Sequence, residues 1–599
     1  MHKRTHRLKA FFSQPANVIL VFFAVALTLL TLYPLIELVY NSFVINATDA
    51  AIFSDLKKGM LSLRSWQKLL FTKANKYSLI NFYRPLVNSL LYSILSAVLA
   101  LVFGGSVAWL MTRSNLKAKK WISAAFVFPY ILPSWTLALF WINMFRNPNV
   151  GIGVAGFVYS LTGWSAPTWF VYGLFPLVIV SGLHYAPFAY IFIGGILRNM
   201  DANLEEAATV LKTPRWRIFQ AITLPIVKPA VLSTFLLVFA SVMGSYAVPV
   251  YLGSPVNFFV LTTKMKMLQT TAVGQAYIIA MFMVASGSFV LLLNNLLVGK
   301  RQSYTTVTGK SSQISLVDLK AGKYIISVIL CILMVFICVM PLISFALESV
   351  LIKAGDYSLS NMTLNYWIGG QGSVTSLAGG STGILLDSLV WKAGKNSLLL
   401  SFICALLAGS SGLIIGYAVV RKKNTKLANY VSGLSFFPYL IPSMAFSAIY
   451  LAISSQFSFL ANSFWLLILV GTVKYLPFAS RSGINSMLQL SKEIEEAALV
   501  YGVSWPKRML KIIMPIQKAA IISGFLLPFV SCMRELSLFV MLVSAKTQTL
   551  TTILMAYSEK GASQYGNAIN LLIIILVLVV NFSVNKITGA SIDKGLGGN

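Results

Sequence analysis

The chain has 599 residues, with 47 Lys and Arg against 16 Asp and Glu, a formal charge of +31. It is nevertheless 57% hydrophobic and only 11% charged, with a mean hydropathy of +0.78. Too few polar residues exist to cover a soluble, nucleic-acid-binding surface, and the same apolar fraction excludes intrinsic disorder. A polytopic membrane protein remains, with its positive charge expected mostly on one side of the bilayer.

About 20 mostly apolar residues cross a bilayer as one helix. In chain order, such runs lie near 18–40, 87–111, 122–145, 169–195, 230–252 and 274–298, then near 324–346, 396–420, 428–453, 463–480, 519–543 and 567–585. They are continuously apolar and too long for barrel strands, so an all-α polytopic fold of about 12 transmembrane helices is expected. His2, Lys3, Arg4, Arg7 and Lys9 before the first run look like a signal-peptide n-region. The run is longer than an h-region, which predicts an uncleaved first helix. With the N-terminus inside, the cytoplasmic segments carry 30 Lys and Arg and the outer loops 15, while Lys474 and Arg534 fall within spans. That bias predicts a multi-pass membrane protein, in contact with lipid, with both termini cytoplasmic. Seven of the outer charges lie in one long loop, 41–86, which the bias leaves unexplained and which is a candidate docking surface.

The four Cys (331, 338, 404, 532) lie in apolar runs without paired spacing, and three scattered His make no zinc constellation. No complete G-x-x-x-x-G-K-[ST] occurs in the sequence. The chain therefore lacks the usual phosphate cradle for ATP. No catalytic residues, resident metal, cofactor or nucleic acid is expected on it.

The sequence is written twice. Asn88-Ser89-Leu90 recurs as Asn396-Ser397-Leu398, and Phe128-Pro129-Tyr130-Ile131-Leu132-Pro133-Ser134 as Phe437-Pro438-Tyr439-Leu440-Ile441-Pro442-Ser443, at offsets of 308 and 309. Pro187-Phe188-Ala189, Glu205-Glu206-Ala207-Ala208 and Pro225-Ile226 recur at an offset of 290 as Pro477-Phe478-Ala479, Glu495-Glu496-Ala497-Ala498 and Pro515-Ile516. The register change of 19 places extra sequence in the first copy, around Asn147–Trp169. Six spans separate equivalent points, so the repeats are parallel, related by an axis along the membrane normal. The expected division is 1–298, a polar linker 299–323, and 324–599, with a substrate path on the axis between the halves.

After the fourth span of each half the chain predicts a short helix, a turn and a second helix leading into the next span, near 201–228 and 491–518. Glu near the helix start suits the macrodipole, and Ala207-Ala208 and Ala497-Ala498 keep one face flat for another surface. Thr213 and Ser504 are the expected N-caps of the second helices, with Pro214 and Pro506 in the first turn. Arg215, Arg217, Lys507, Arg508 and Lys511 give an expected basic stripe. An ordinary interfacial helix with snorkelling cations shows similar features, but not in duplicate with 19 residues from each second Glu to Pro225 or Pro515.

Here the sequence resembles the permease subunits of binding-protein-dependent ABC importers, whose EAA loop (E-A-A, three residues, G, then a spaced hydrophobic-x-Leu-Pro) forms the helix that sits in a groove of the ATPase. The resemblance assigns ATPase coupling to Glu205, Glu206, Ala207, Ala208, Lys212 and Pro225, and to Glu495, Glu496, Ala497, Ala498, Gly502 and Pro515. The turn Gly is present as Gly502 but is Lys212 in the first copy, so the two loops are not assumed to act equally. The fused pair looks most like ferric-iron importer permeases. In place of their D-F-G-T-P-x-L-L-G-like string stands Gly244-Ser245-Tyr246-Ala247-Val248-Pro249-Val250-Tyr251-Leu252-Gly253, and in place of K-E-L-P-x-T-L-L-L stands Arg534-Glu535-Leu536-Ser537-Leu538. Relatives of this build move phosphonates, thiamine or polyamines. The resemblance implies two copies of a separate ATPase, carrying ATP and Mg, and an extracytoplasmic substrate-binding protein.

Charges within spans are costly, about 2.5–3.5 kcal/mol on the insertion scale, and mark functional candidates. Arg534 and Glu535 either face the path, or satisfy each other or a neighbouring backbone, or lie at the outer mouth. His184 and Lys474 occupy the same repeat position, each before Tyr (Tyr185, Tyr475), and either line the path or snorkel at an interface. With Tyr246 these are the path candidates. The alternative class, an ion-coupled secondary transporter, calls for several intramembrane acids, of which Glu535 is the clear one.

Overall fold

The computed structural model describes residues 11–150, 153–200, 203–298, 316–370, 382–454 and 456–588. Most of the predicted linker, 299–315, lies outside the described residues. Sixteen helices carry the argument. In the first half they are α1 (Pro15–Phe43), α2 (Arg84–Arg113), α3 (Lys119–Ile131), α4 (Ser134–Phe145), α5 (Leu174–Asn199), α6 (Asn203–Val210), α7 (Leu224–Met243) and α8 (Val273–Val298). The second half repeats them as α9 (Gly322–Glu348), α10 (Ser388–Arg421), α11 (Lys426–Leu440), α12 (Ser443–Ser454), α13 (Phe464–Leu488), α14 (Lys492–Val500), α15 (Lys518–Met533) and α16 (Ser563–Thr588). Among the described residues the only β pairings are isolated bridges.

Among the described residues eight helices are long and apolar enough to cross a bilayer, and eleven spans result if each bent helix pair counts once. The helix α13, interrupted by Lys474 and Arg481, is the twelfth by its repeat position. The spans expected at 122–145 and 428–453 are each bent at a break: α3 meets α4 at 97° and α11 meets α12 at 106°. Pro133 and Pro442 are the reason, since each forces the preceding residue, Leu132 or Ile441, into extended backbone and ends the first helix. The expected span 519–543 is corrected. The helix α15 stops at Met533, and Arg534–Val543 continue as turns. Its counterpart α7 stops at Met243 before Gly244.

Proline also leaves a regular mark elsewhere. Four π-helical segments, Thr28–Leu32, Leu79–Tyr83, Phe219–Thr223 and Met509–Ile513, each end two residues before a proline (Pro34, Pro85, Pro225, Pro515). A proline lacks the N–H for the residue four back, and its ring crowds that carbonyl; widening one turn relieves the clash without breaking the helix.

Within each half, α2 packs along α5 and α10 along α13. Small residues set the approach: a Cβ on Gly104 would lie 2.2 Å from the Ala186 carbonyl oxygen, and one on Gly412 2.4 Å from the Ala479 carbonyl carbon. Between halves the first helices are exchanged. Leu20 and Leu27 of α1 bury against Leu413, Ile415 and Val431 of the second half, and Phe345 of α9 against Phe140 of the first. Each exchanged helix ends in a polar clasp on the other half: Gln456 donates to Glu37 at 2.6 Å, and Arg146 pairs with Glu348 at 2.6 Å. The register change also has a physical location. Segment 146–173 stands where the second half has only 455–463, and its Phe170 packs with Trp141, Phe145 and Phe175 at centroid distances of 5.0–5.5 Å.

Candidate functional site

The breaks in α3–α4 and α11–α12, and the ends of α7 and α15, meet where the halves face each other. They enclose a chamber of about 130 Å³. Its lining is pseudo-symmetric: Tyr130 with Tyr439, Ser134 with Ser443, His184 with Lys474, Tyr185 with Tyr475, Phe188 with Phe478, and Ser241 with Ser531. Irregular backbone at this depth is tolerated because it lines a polar space instead of lipid.

The repeated Asn-Ser-Leu motif has its explanation here. Asn88 donates to the Phe259 carbonyl at 2.9 Å and Ser89 accepts the Leu261 N–H at 2.8 Å. Asn396 and Ser397 do the same for the Gln548 carbonyl and the Leu550 N–H, both at 2.9 Å. The returning segments are thereby fixed, and from them Thr262 and Thr551 donate to the carbonyls of Ser245 and Glu535 at 2.7 and 3.0 Å. The motif thus holds in place the broken backbone that borders the chamber. Its repetition is visible in sequence, but its long-range partners are not.

Six of the seven path candidates line the chamber: His184, Tyr185, Lys474, Tyr475, Arg534 and Glu535. Tyr246 does not; it is buried beside it, its backbone N–H donating to Ser537 Oγ at 3.3 Å. Arg534 and Glu535 do not pair. The Arg534 guanidinium lies 4.4 Å from the Tyr130 ring centroid and donates to the Leu132 carbonyl at 3.3 Å, across the interface between halves. Glu535 accepts from Tyr475 Oη and from the Leu538 N–H, each at 2.9 Å. Lys474 does not snorkel. It is 7% exposed and donates to the carbonyls freed by the break at Pro442, Pro438 at 3.0 Å and Ile441.

The two EAA-type loops form a second constellation. In each, the first Glu turns inward. Glu205 lies 3.7 Å from Arg113 at the end of α2 and accepts from Thr223 at 2.6 Å. Glu495 pairs with Arg421 at the end of α10 at 2.6 Å and with Arg508 at 3.7 Å, and accepts from Tyr417 at 2.5 Å. Arg508 therefore leaves the expected basic stripe; it is buried and also donates to the Val503 carbonyl at 2.8 Å. Ser504 is an N-cap by position but makes no side-chain cap bond, and the helix after Thr213 begins only at Arg215. The second Glu residues face outward more, Glu206 half-buried and Glu496 exposed, and Ala207 and Ala497 are exposed beside them, with Ala208 half-buried and Ala498 buried. Beyond them Val210, Leu211, Val500 and Tyr501 stand 79–87% exposed as apolar tips.

Both loops turn alike. Lys212 has φ +56° and Gly502 φ +69°. Thr213 N–H returns to the Ala208 carbonyl at 3.1 Å and Val503 N–H to Ala498 at 3.0 Å. Only the residue type differs, so Lys212 carries a left-handed strain of about 1–2 kcal/mol that Gly502 avoids. Lys212→Gly is expected to stabilise the detergent-solubilised protein by about 1 kcal/mol, seen as a raised thermal midpoint, and Gly502→Ala to lower it by a similar amount. Pro225 and Pro515 sit at the start of the helices that follow, below the π-turns.

The family described as "Binding-protein-dependent transport system inner membrane component" matches residues 100–304 and again 408–592. Similar relatives include the ferric transport system permease protein FbpB of Actinobacillus pleuropneumoniae, 27% identical over 83% of this chain and 70% of that protein. The putative ferric transport system permease protein FbpB 1 of Haemophilus influenzae is 26% identical over 78% of this chain and 71% of its own. A shorter relative, the molybdenum transport system permease protein ModB of Haemophilus influenzae, is 32% identical over 27% of this chain and 64% of its own. The chain, a multi-pass inner membrane protein carrying this domain twice, belongs to the family of binding-protein-dependent transport system inner membrane components.

Proposed function

We propose that the chain is the membrane subunit of an ATP-driven importer. In this reading 1–298 and 324–599 are two permease units joined by 299–323, with both termini cytoplasmic. Cargo arrives from an extracytoplasmic binding protein and occupies the chamber. Two copies of a separate ATPase, which bind ATP and Mg, seat on the tips of α6 and α14 and rock the halves between outward and inward openings. The proposed cargo is ferric iron, after the named function of the FbpB relatives. The carrying observation is the pairing of one polar chamber at the junction of the halves with two anchored loops, each presenting an exposed apolar tip. A single carboxylate in the chamber favours ATP over ion coupling, since an ion-coupled transporter uses several.

The tips make few contacts within the chain, so Leu211→Asp combined with Tyr501→Asp is expected to leave folding and extraction intact. Co-purification of the ATPase is expected to fall at least tenfold, roughly 1.4 kcal/mol or more of interface energy. If simultaneous charge reversal at Glu206 and Glu496 leaves both complex formation and uptake intact, the coupling assignment is wrong. Uptake in vesicles driven by a proton gradient without ATP would decide for a secondary transporter instead.

A further inference from the structure

We infer that the chamber is an anion site: it receives cargo through negatively charged oxygen atoms, with Arg534 and Lys474 as the residues that set this preference. The inference rests on the chamber being the cargo path and narrows the chemistry of what travels along it.

The argument is one of uncompensated charge. Two cationic side chains, Lys474 and Arg534, line the chamber against one carboxylate, Glu535. Among the described residues neither cation has a carboxylate oxygen within 4 Å; both lean on backbone carbonyls and on aromatic rings, Phe446 for Lys474 and Tyr130 for Arg534. The carboxylate's own oxygens are already taken by Tyr475 and the Leu538 N–H. Buried charge of one sign is costly where water is scarce, and a bound counter-charge recovers that cost. His184, the repeat equivalent of Lys474, also lines the chamber and is 3% exposed. Guanidinium and ammonium donors around a small space suit phosphate-like or carboxylate oxygens, and serine hydroxyls complete the wall. Among the described residues no three His, Cys, Asp or Glu side chains gather to hold a naked cation. Ferric iron as cargo then enters this chamber inside an anionic oxygen shell. A small oxyanion satisfies the same groups without iron.

Equilibrium dialysis of the full-length chain in detergent tests this, with ³²P-labelled inorganic phosphate and with ⁵⁵Fe supplied as its ¹⁴C-citrate complex. The expected result is retention of at least one probe, weakened tenfold or more by Arg534→Gln and by Lys474→Gln, recovered in Arg534→Lys, and strengthened by Glu535→Gln. Phosphate held alone assigns the free oxyanion; iron and citrate held in fixed ratio assign the complex. Retention of neither probe, indifference to both cation variants, or loss on Glu535→Gln with gain on Arg534→Gln overturns the inference. Arg534→Lys and Glu535→Gln keep the test decisive should Arg534→Gln fail to fold. In vesicles holding the complete importer, variants that lose the anion yet keep full uptake would leave the anion site standing and remove the chamber from the cargo path.

Discussion

Glu495→Ala is expected to cost about 3–5 kcal/mol and to uncouple the second loop, because it strands two buried arginines. Arg421 and Arg508 converge on this one carboxylate, with side chains only 11% and 8% exposed. Truncation removes their counter-charge and also the acceptor of Tyr417 Oη, and leaves Arg508 only its bond to the Val503 carbonyl. The carboxylate also ties α14 to the end of α10 and to the helix after the turn, so its loss frees the tip at Val500 and Tyr501 from the body of the protein. A lowered thermal midpoint in detergent together with reduced ATPase co-purification is the expected pair of readouts. The first-half equivalent is weaker. Glu205 meets one arginine at 3.7 Å and is 21% exposed, so Glu205→Ala is expected to cost roughly 1–3 kcal/mol. Equal effects at the two positions would contradict this ordering.

Glu348→Ala is expected to be similarly damaging, about 3–5 kcal/mol, at the C-terminal end of the exchanged helix α9. Its carboxylate pairs with Arg146 at 2.6 Å with both side chains no more than 3% exposed, and accepts from Tyr357 at 2.5 Å. Burial, and next the charge of Glu348, push the Tyr357 phenol above its ordinary pKa, so it remains a neutral donor at every physiological pH. The informative comparison is the double variant Arg146→Met with Glu348→Leu. Removing both charges with apolar volume retained is expected to restore most of the stability lost by the single change, since the single variant suffers mainly from a stranded arginine. The matching clasp in the other half, Gln456 on Glu37, is exposed and neutral on one side. Glu37→Gln is therefore expected to change the midpoint by well under half as much, within roughly 1 kcal/mol. A double variant no more stable than Glu348→Ala would show that α9 is held by the charge pair itself.

Several features could be read from the sequence because they depend on short stretches of chain. Apolar run length located the spans, since every backbone group in lipid must be satisfied within a helix. Repeated strings located the halves. His184 and Lys474 were found as a pair because their flanking Tyr-x-Pro-Phe puts them in register, and Arg534 and Glu535 because charge within an apolar run is rare. Other features escaped the same reasoning. The apolar residues Leu536–Val543 looked like helix because composition does not distinguish a lipid-facing helix from turns buried in protein. Arg508 looked like a surface cation because its partner, Glu495, is reached only after the chain reverses at Gly502. Pro34, Pro85, Pro225 and Pro515 announce a local disturbance, but whether a helix kinks, breaks or widens into a π-turn depends on what packs around it.

What the sequence by itself determined is the membrane class, the two-fold repeat and the paired loops. All three follow from hydrophobicity and from identity between copies, which need no knowledge of contacts. Tertiary structure alone decided that α1 and α9 are exchanged, that the spans at Pro133 and Pro442 are broken, and that the surplus positive charge has an inward component. Most of the +31 falls in loops that the expected orientation places inside, but Lys474 and Arg534 are a separate case. They are cations brought from α13 and from the turn that follows α15 to one small space, where low dielectric makes a single unpaired charge count for more than many on the surface.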